Sequence, residues 1–203
     1  MTNKRLIIYI SSILAVLIPC PGRLASGIIL AVSFDITFIL TTMLNFLFFK
    51  LNLHKSVKVL LPLSVVSLVT VFKLILTLIS PLNALQLSFI FYLQAFSIYV
   101  IFLNSSETEN LDFKLSLKKM LVNCLWFTGF TLGFSLLRDV LGYGTLSFPV
   151  TSGINQIKLF DINSCTFLNF FASTPGAAII SAVIISLAFQ INNRKSASEV
   201  NDE

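Results

Sequence analysis

The sequence predicts an all-α integral membrane protein with six transmembrane helices, arranged as two inverted three-helix repeats whose first and fourth helices are short or broken. Composition is the first observation behind this prediction. Of the 203 residues, 56% are hydrophobic and 11% are charged, and the mean hydropathy is +0.90. A soluble domain carries about 25% charged residues, so this chain lacks the charge to cover a surface that faces water. The two other observations are six apolar runs and the placement of the basic residues between them.

The apolar runs have the length and the interruptions of membrane spans, which need about 20 apolar residues each. They are Leu6–Pro19, Leu24–Phe49, Val59–Leu78, Leu85–Leu103, Met120–Leu141 and Phe167–Ile191. The first run is short and ends in Pro19-Cys20-Pro21-Gly22, a helix-breaking turn. We expect one membrane domain over residues 1–191, with halves of about 1–82 and 83–191, and a charged cytoplasmic tail over 192–203.

The basic residues predict the orientation of these spans. With six spans, both termini and the loops at 50–58 and 104–119 share one face, which holds ten of the 14 basic residues. These are Lys4, Arg5, Lys50, Lys55, Lys58, Lys114, Lys118, Lys119, Arg194 and Lys195. The other face holds Arg23, Arg138 and Lys158. Because cytoplasmic loops are enriched in Lys and Arg, we expect a multi-pass protein of the bacterial inner (cytoplasmic) membrane with both termini in the cytoplasm. The net charge of +5 is thereby explained by the lipid bilayer, and no nucleic-acid partner is predicted.

A short motif that occurs twice in the sequence suggests the inverted repeat. Gly27–Ser33 (GIILAVS) and Gly129–Ser135 (GFTLGFS) both fit G-x-x-L-[A/G]-x-S, at a spacing of 102 residues. Three spans per copy place the second copy upside down relative to the first, as in many transport folds. The alternative is that small residues at this spacing only let helices pack closely.

Two charges fall inside apolar runs and are therefore candidate functional residues. Asp35 lies near the middle of the second run, and Lys73 lies in the neighbouring third run. They are candidates for an intramembrane polar path for an ion or a proton. The alternative is a structural ion pair or a hydrated group that orients the bundle. Arg138 and Asp139 lie nearer a membrane interface, where we expect anchoring by side chains that snorkel.

The cysteines give little support for a metal site. Cys20, Cys124 and Cys165 form no CxxC pair, and a buried cysteine usually behaves as a small hydrophobe. Cys20, between two prolines at a helix break, is the one candidate ligand. The sequence also contains no Walker A loop, no G-x-S-x-G elbow and no HExxH. Nothing in it indicates an enzyme that acts alone.

One stretch of the fifth run combines glycines with a charged turn: Gly129–Leu146 has the sequence GFTLGFSLLRDVLGYGTL. It resembles the Gly-rich span of the RnfE/NqrD-type membrane subunits of Rnf electron-transport complexes and of the sodium-pumping NADH:quinone reductase, which ends in R-[E/D]-x-[L/I]-G-x-G-T-L. Pro175-Gly176-Ala177 in the last run and Val69-Thr70-Val71 in the third also resemble this family. The resemblance implies two inverted three-span halves, a homologous six-span partner subunit, and one iron–sulfur cluster at the centre of the pair.

The chain departs from this family at the cluster ligands. The family supplies thiolates from spans one and four, as such clusters require. Here Ser11-Ser12-Ile13-Leu14-Ala15-Val16 occupies the first place, so the ligand position is Ser11, and the fourth run contains no cysteine. We therefore predict no cofactor for this chain.

The sequence thus predicts a membrane subunit of an Rnf/Nqr-type ion-translocating electron-transport complex, with a structural and gating role and other membrane subunits as partners. A small secondary transporter, or a transporter's membrane component, without redox chemistry is the alternative. A membrane assembly factor is a third hypothesis.

Overall fold

The computed structural model describes residues 3–51, 56–105, 113–151, 153–159 and 169–201. The chain is mostly helical within these ranges. The elements in order are α1 (Asn3–Leu17), α2 (Leu24–Lys50), α3 (Val57–Ile79), α4 (Pro81–Gln86), α5 (Ser88–Ser105), α6 (Phe113–Tyr143), β1 (Thr145–Val150), β2 (Gly153–Lys158), α7 (Asn169–Ala172) and α8 (Thr174–Asn201). Cys165 and the first two residues of the predicted sixth run lie outside the described residues.

Three of the described helices are long and apolar enough to cross a membrane. The qualifying segments are Leu24–Phe48, Val59–Ile79 and Met120–Tyr143. Three shorter apolar segments accompany them, namely Ile8–Leu17, Ser88–Leu103 and Thr174–Leu187. The prediction of a mostly helical chain with apolar helices long enough to cross a membrane is confirmed in this coarser form. Helix α8 continues through residues 192–201, into the predicted tail.

The helix ends follow from local chemistry. Helix α1 ends at Leu17, just before Pro19 and Pro21, which cannot donate a backbone hydrogen bond. Helix α3 ends at Ile79 with Ser80 as its C-cap, and Pro81 takes the first position of α4, where a missing N–H costs nothing. The fourth apolar run is divided between α4 and α5, with Leu87 between them.

The centre of the bundle is the antiparallel contact of α2 with α6. The rings of Phe34 and Phe127 stack at a centroid distance of 3.5 Å. Further along, Gly27 of α2 lies directly against Ser135 of α6, and a Cβ on Gly27 would collide with the Ser135 Oγ and Cβ atoms. The two copies of the repeated motif therefore pack against each other in antiparallel order, with the first residue of one copy, Gly27, beside the last residue of the other, Ser135.

A two-stranded antiparallel hairpin follows α6 in a region for which the sequence predicted only a polar loop. Its register pairs Thr145 with Lys158 and Val150 with Gly153. Strand β1 does not follow the usual pattern, because its buried residues are the polar Thr145 and Ser147 while Phe148 is exposed. The inward partner of these hydroxyls is a carboxylate, which explains the inverted pattern.

Candidate functional site

Arg138 of α6 is buried and joins two interruptions of the helical chain. Its Nη1 atom donates to the carbonyl oxygens of Leu17 and Cys20, at 3.1 and 2.8 Å, at the end of α1. Its Nη2 and Nε atoms donate to three carbonyls where α7 gives way to α8. These are Ala172 at 2.9 Å, Ser173 at 3.4 Å and Phe171 at 3.4 Å.

These five bonds match the five N–H donors of a guanidinium group. Arg138 is only 2% exposed, and a buried charge is costly unless it is compensated. The carbonyls at the end of α1 carry the partial negative charge of a helix C-terminus, and the ring of Phe134 lies 5.7 Å from the guanidinium carbon. Because no donor is left over, Arg138 is a structural clamp and has no N–H free for an anionic ligand.

Asp139, the next residue, is fully buried and fixes a different set of elements. Its Oδ2 atom accepts from the Leu24 N–H at 3.1 Å, the Ser147 N–H at 2.8 Å and the Ser147 hydroxyl at 2.6 Å. Its Oδ1 atom accepts from the Thr145 hydroxyl at 3.0 Å. The carboxylate thus caps the N-terminus of α2, where N–H groups lack helical partners, and ties the hairpin to it.

Glycines allow the backbones around this pair to approach closely. A Cβ on Gly142 would lie 2.5 Å from the Ala172 Cβ atom, and one on Gly22 would lie 2.7 Å from the Ala172 carbonyl oxygen. Gly144 has φ +62° and turns the chain from α6 into β1, a conformation that favours glycine. We call the set Arg138, Asp139, Gly142, Gly144 and Ala172 the Arg138 node.

The node differs from the interface anchoring expected for Arg138 and Asp139. Both side chains point into the protein, where neither can snorkel. The sequence signal for the node was present in the R-D-x-L-G-x-G-T spacing, but its meaning depends on distant segments that only the fold brings together.

Asp35 lies in a second polar group, at the contact of α2 with α6. Its Oδ2 atom accepts from the Thr128 hydroxyl at 2.8 Å, and the Cys124 thiol is hydrogen-bonded to the same carboxylate. Its Oδ1 atom is buried without a partner. The Tyr9 hydroxyl of α1 lies nearby and donates to the Asn123 carbonyl at 2.8 Å. The i, i+4 spacing of Cys124 and Thr128 puts both on one face of α6, which is the signal that could have indicated this group.

Lys73 lies elsewhere, between α3 and α5. Its Nζ atom lies 4.9 Å from the centroid of the Tyr92 ring and 3.5 Å from the Tyr92 hydroxyl. The structure therefore does not bring Lys73 and Asp35 together, and each has its own partner. A cation–π contact is worth about 2 kcal/mol when desolvated, whereas a lysine at the centre of a membrane helix costs about 2.5–3.5 kcal/mol. The contact with Tyr92 offsets only part of the cost of Lys73.

The two candidate ligand positions from the sequence, Ser11 and Cys20, lie in different surroundings. Ser11 is exposed on α1, and its hydroxyl donates to the Ile8 carbonyl of its own helix at 3.0 Å. Cys20 is 2% exposed in the connection between α1 and α2. Burial raises the pKa of the Cys20 thiol to about 12, so without a bound cation the thiol is protonated at neutral pH. Within the described ranges, no three His, Cys, Asp or Glu side chains lie together.

Gln94 is a buried polar residue that the sequence analysis did not single out. It is fully buried on α5, and its Oε1 atom accepts from the Ser33 hydroxyl of α2 at 2.7 Å. Its Nε2 atom has no partner, and neither does the buried Thr131 hydroxyl of α6. One turn from Gln94, the Ser97 hydroxyl donates to the Ser12 carbonyl at 3.0 Å. Unpaired buried polar groups are few in native proteins and call for an explanation.

Comparison with known proteins found no matching family model, no matching characterised protein and no matching solved structure.

Proposed function

We propose that this chain is a membrane subunit of an Rnf/Nqr-type ion-translocating electron-transport complex, with a structural and gating role and no iron–sulfur cluster of its own. The observation that carries the proposal is the turn at residues 138–146, which resembles the family's R-[E/D]-x-[L/I]-G-x-G-T-L.

The Arg138 node gives this turn a physical role. The arginine clamps two chain breaks, the aspartate caps α2, Gly142 lets Ala172 approach, and Gly144 makes the turn into β1. These features depend on each other, so the spacing is more specific than a pattern of small residues. A resemblance over these positions therefore supports a shared architecture.

The packing of the helices supports two inverted three-span halves. Suppose that α1, α2 and α3 of the first half correspond to α5, α6 and α8 of the second. Exchanging the two halves then leaves the α1–α5 contact and the α2–α6 contact unchanged. The α3–α5 contact then maps onto the α1–α8 contact, and both occur. Likewise the α2–α5 contact maps onto α1–α6, and both occur. The exchange is incomplete, because the extensive α2–α3 contact would map onto α6–α8, whereas within the described residues α6 packs mainly against α7 at this end.

Asp35 is the candidate for a polar step on an ion or proton path. It lies 11 residues into α2, about 16 Å along the helix axis at 1.5 Å per residue. Its unpartnered Oδ1 atom is the kind of oxygen that a proton or a hard cation binds. Ionisable groups inside membranes usually mark such paths.

Purification of the chain from its native membranes in a mild detergent tests the proposal. We expect mass spectrometry to identify flavin-carrying or ferredoxin-like subunits and a homologous six-span subunit in stoichiometric amounts. Recovery of the chain alone, or with an ATPase pair, would contradict it. The same sample serves for iron and acid-labile sulfide analysis, and a stoichiometric cluster bound by this chain's thiols would contradict the cluster-free role.

A non-redox secondary transporter is the second candidate. The broken connections before α2 and within the α7–α8 segment, which meet at Arg138, favour it, because transporters use discontinuous helices in paired halves. The transporter differs from the electron-transport subunit in one experimental outcome: vesicles would take up solute with this chain alone and without an electron donor.

A further inference from the structure

Lys73 lies on the outward surface shared by α3 and α5. Phe89 and Phe96 of α5 are each 66% exposed, and they flank Tyr92 along the same helix. On α3, Leu74 and its neighbours are likewise exposed. An apolar helix surface of this kind is ordinary in a membrane protein, whereas the ammonium group of Lys73 on this surface is unusual.

No carboxylate of the described residues compensates Lys73. Only two acidic side chains are described, and both are engaged elsewhere: Asp35 with Thr128, and Asp139 with Leu24 and the hairpin. The Lys73 ammonium has the Tyr92 ring and hydroxyl. A membrane-facing charge whose one partner among the described residues is aromatic is poised to take an opposite charge from outside.

The depth and direction of the side chain favour a partner helix over a lipid phosphate. Lys73 precedes the end of α3, Ile79, by six residues, about 9 Å along the axis. Side chains on a helix lean towards its N-terminus, which for Lys73 is away from the nearer membrane surface. The Nζ atom accordingly lies on Tyr92 of α5. A headgroup phosphate would draw it in the opposite direction.

We propose that the α3–α5 surface around Lys73 and Tyr92 docks a membrane-spanning helix of another protein that carries an aspartate or glutamate opposite Lys73. The exposed Phe89 and Phe96 supply the apolar contact on either side of this ion pair. Buried ion pairs of this type select a partner and fix its register, because a helix without the carboxylate leaves the charge uncompensated. The proposal does not depend on the redox function proposed above.

Carbodiimide cross-linking in native membranes tests it. Dicyclohexylcarbodiimide enters bilayers and activates a buried carboxyl group as an O-acylisourea. The Lys73 amine then attacks the acyl carbon to form an amide, and dicyclohexylurea leaves, having taken up the elements of water. We expect mass spectrometry to find a peptide that joins Lys73 to an Asp or Glu within an apolar segment of another chain. Absence of this cross-link overturns the proposal, and so does a link from Lys73 to Asp161 of the same chain.

Substitutions provide the second measurement. Lys73→Met should lower co-purification of the cross-linked protein by about tenfold or more, equivalent to about 1.4 kcal/mol. Lys73→Arg keeps the charge and should retain it. Lys118→Met, which removes an exposed lysine of α6, is the matched control and should change nothing. Recovery of the partner with Lys73→Met at the native level overturns the proposal, as does loss of a bound anionic lipid with the protein partner retained. If Lys73→Met fails to fold, as judged by gel filtration, the cross-link in the native protein decides.

Discussion

Removal of the Arg138 side chain should open the junction between α1, α6 and α7. In Arg138→Ala, five carbonyl oxygens lose the guanidinium at once, and three of these bonds are buried. The oxygens of Leu17 and Ser173 keep a backbone N–H as donor. An unsatisfied buried acceptor costs about 1–3 kcal/mol, but relaxation and the removal of a buried charge offset part of the sum. Breaking a buried charged network typically costs about 3–5 kcal/mol. At about 2–4 °C per kcal/mol for a chain of this size, the melting temperature should fall by about 6–20 °C.

Two readouts separate this loss from general damage. The first is the melting temperature of the detergent-purified protein, followed by intrinsic fluorescence. The second is maleimide labelling of Cys20 at neutral pH, resolved by peptide mass spectrometry. Burial raises the pKa of this thiol to about 12, so in the native protein it stays protonated and unreactive. When Arg138 no longer holds the Cys20 carbonyl, the thiol should become accessible and labelling should accelerate. Its pKa should fall, because the loss of burial, the larger cause, outweighs the loss of the Arg138 charge, which lowers the pKa.

Matched variants calibrate the result. Arg138→Lys keeps the charge but has three donors in place of five, so its loss of stability should be intermediate. Arg23→Ala removes another arginine on the same side of the bundle, whose guanidinium carbon lies 5.1 Å from the Tyr143 ring, and should cost about 0.5–1 kcal/mol. The clamp assigned to Arg138 is refuted if Arg138→Ala melts like Arg23→Ala while Cys20 stays unlabelled.

Other sites give independent predictions. Gly27→Ala should destabilise the protein by about 1–3 kcal/mol because its new methyl group meets Ser135, and Ser135→Gly should restore stability in the double variant. Gly133→Ala, whose Cβ would meet nothing within 4 Å, should instead be neutral or stabilising by up to about 1 kcal/mol; equal losses for both alanine variants in thermal melts would contradict the close α2–α6 contact. Asp139→Asn should cost about 1–3 kcal/mol in denaturant melts, and an unchanged midpoint would show that the carboxylate does not hold the hairpin. Asp35→Asn should lower ion transport by membrane vesicles with the melting temperature little changed, and unchanged transport would remove Asp35 from the path.

The sequence predicted the helical, membrane-embedded character of the chain because composition and run length depend on local residues alone. The hairpin was missed for an equally physical reason. Strand prediction expects apolar residues to face inward, whereas β1 turns Thr145 and Ser147 inward to bond Asp139. A pattern that serves a buried carboxylate cannot be recognised before the carboxylate's position is known.

In the candidate site, too, some features could be predicted from the local sequence and others depend on the fold. Asp35 could be identified from the sequence, since an acid in an apolar run stands out. The spacing of Cys124 and Thr128 places them on one face of α6, but their contact with Asp35 could not be predicted, because it depends on the rotation of α2 about its axis. Asp35 therefore meets Thr128 of α6, while Lys73 faces Tyr92 of α5. Arg138 was placed near an interface by its position at a helix end, and only the convergence of two distant chain breaks reveals it as buried.

Electron-coupled ion transport in membrane vesicles tests whether this chain belongs to an ion-translocating electron-transport complex. Vesicles from cells with and without this chain would be given NADH or reduced ferredoxin, and the ion gradient and the rate of electron transfer would be followed together. We expect loss of the chain to abolish the donor-driven gradient. The native gene should restore the gradient, and the Arg138→Ala variant should not. A donor-driven gradient of full size in the absence of the chain would contradict the assignment.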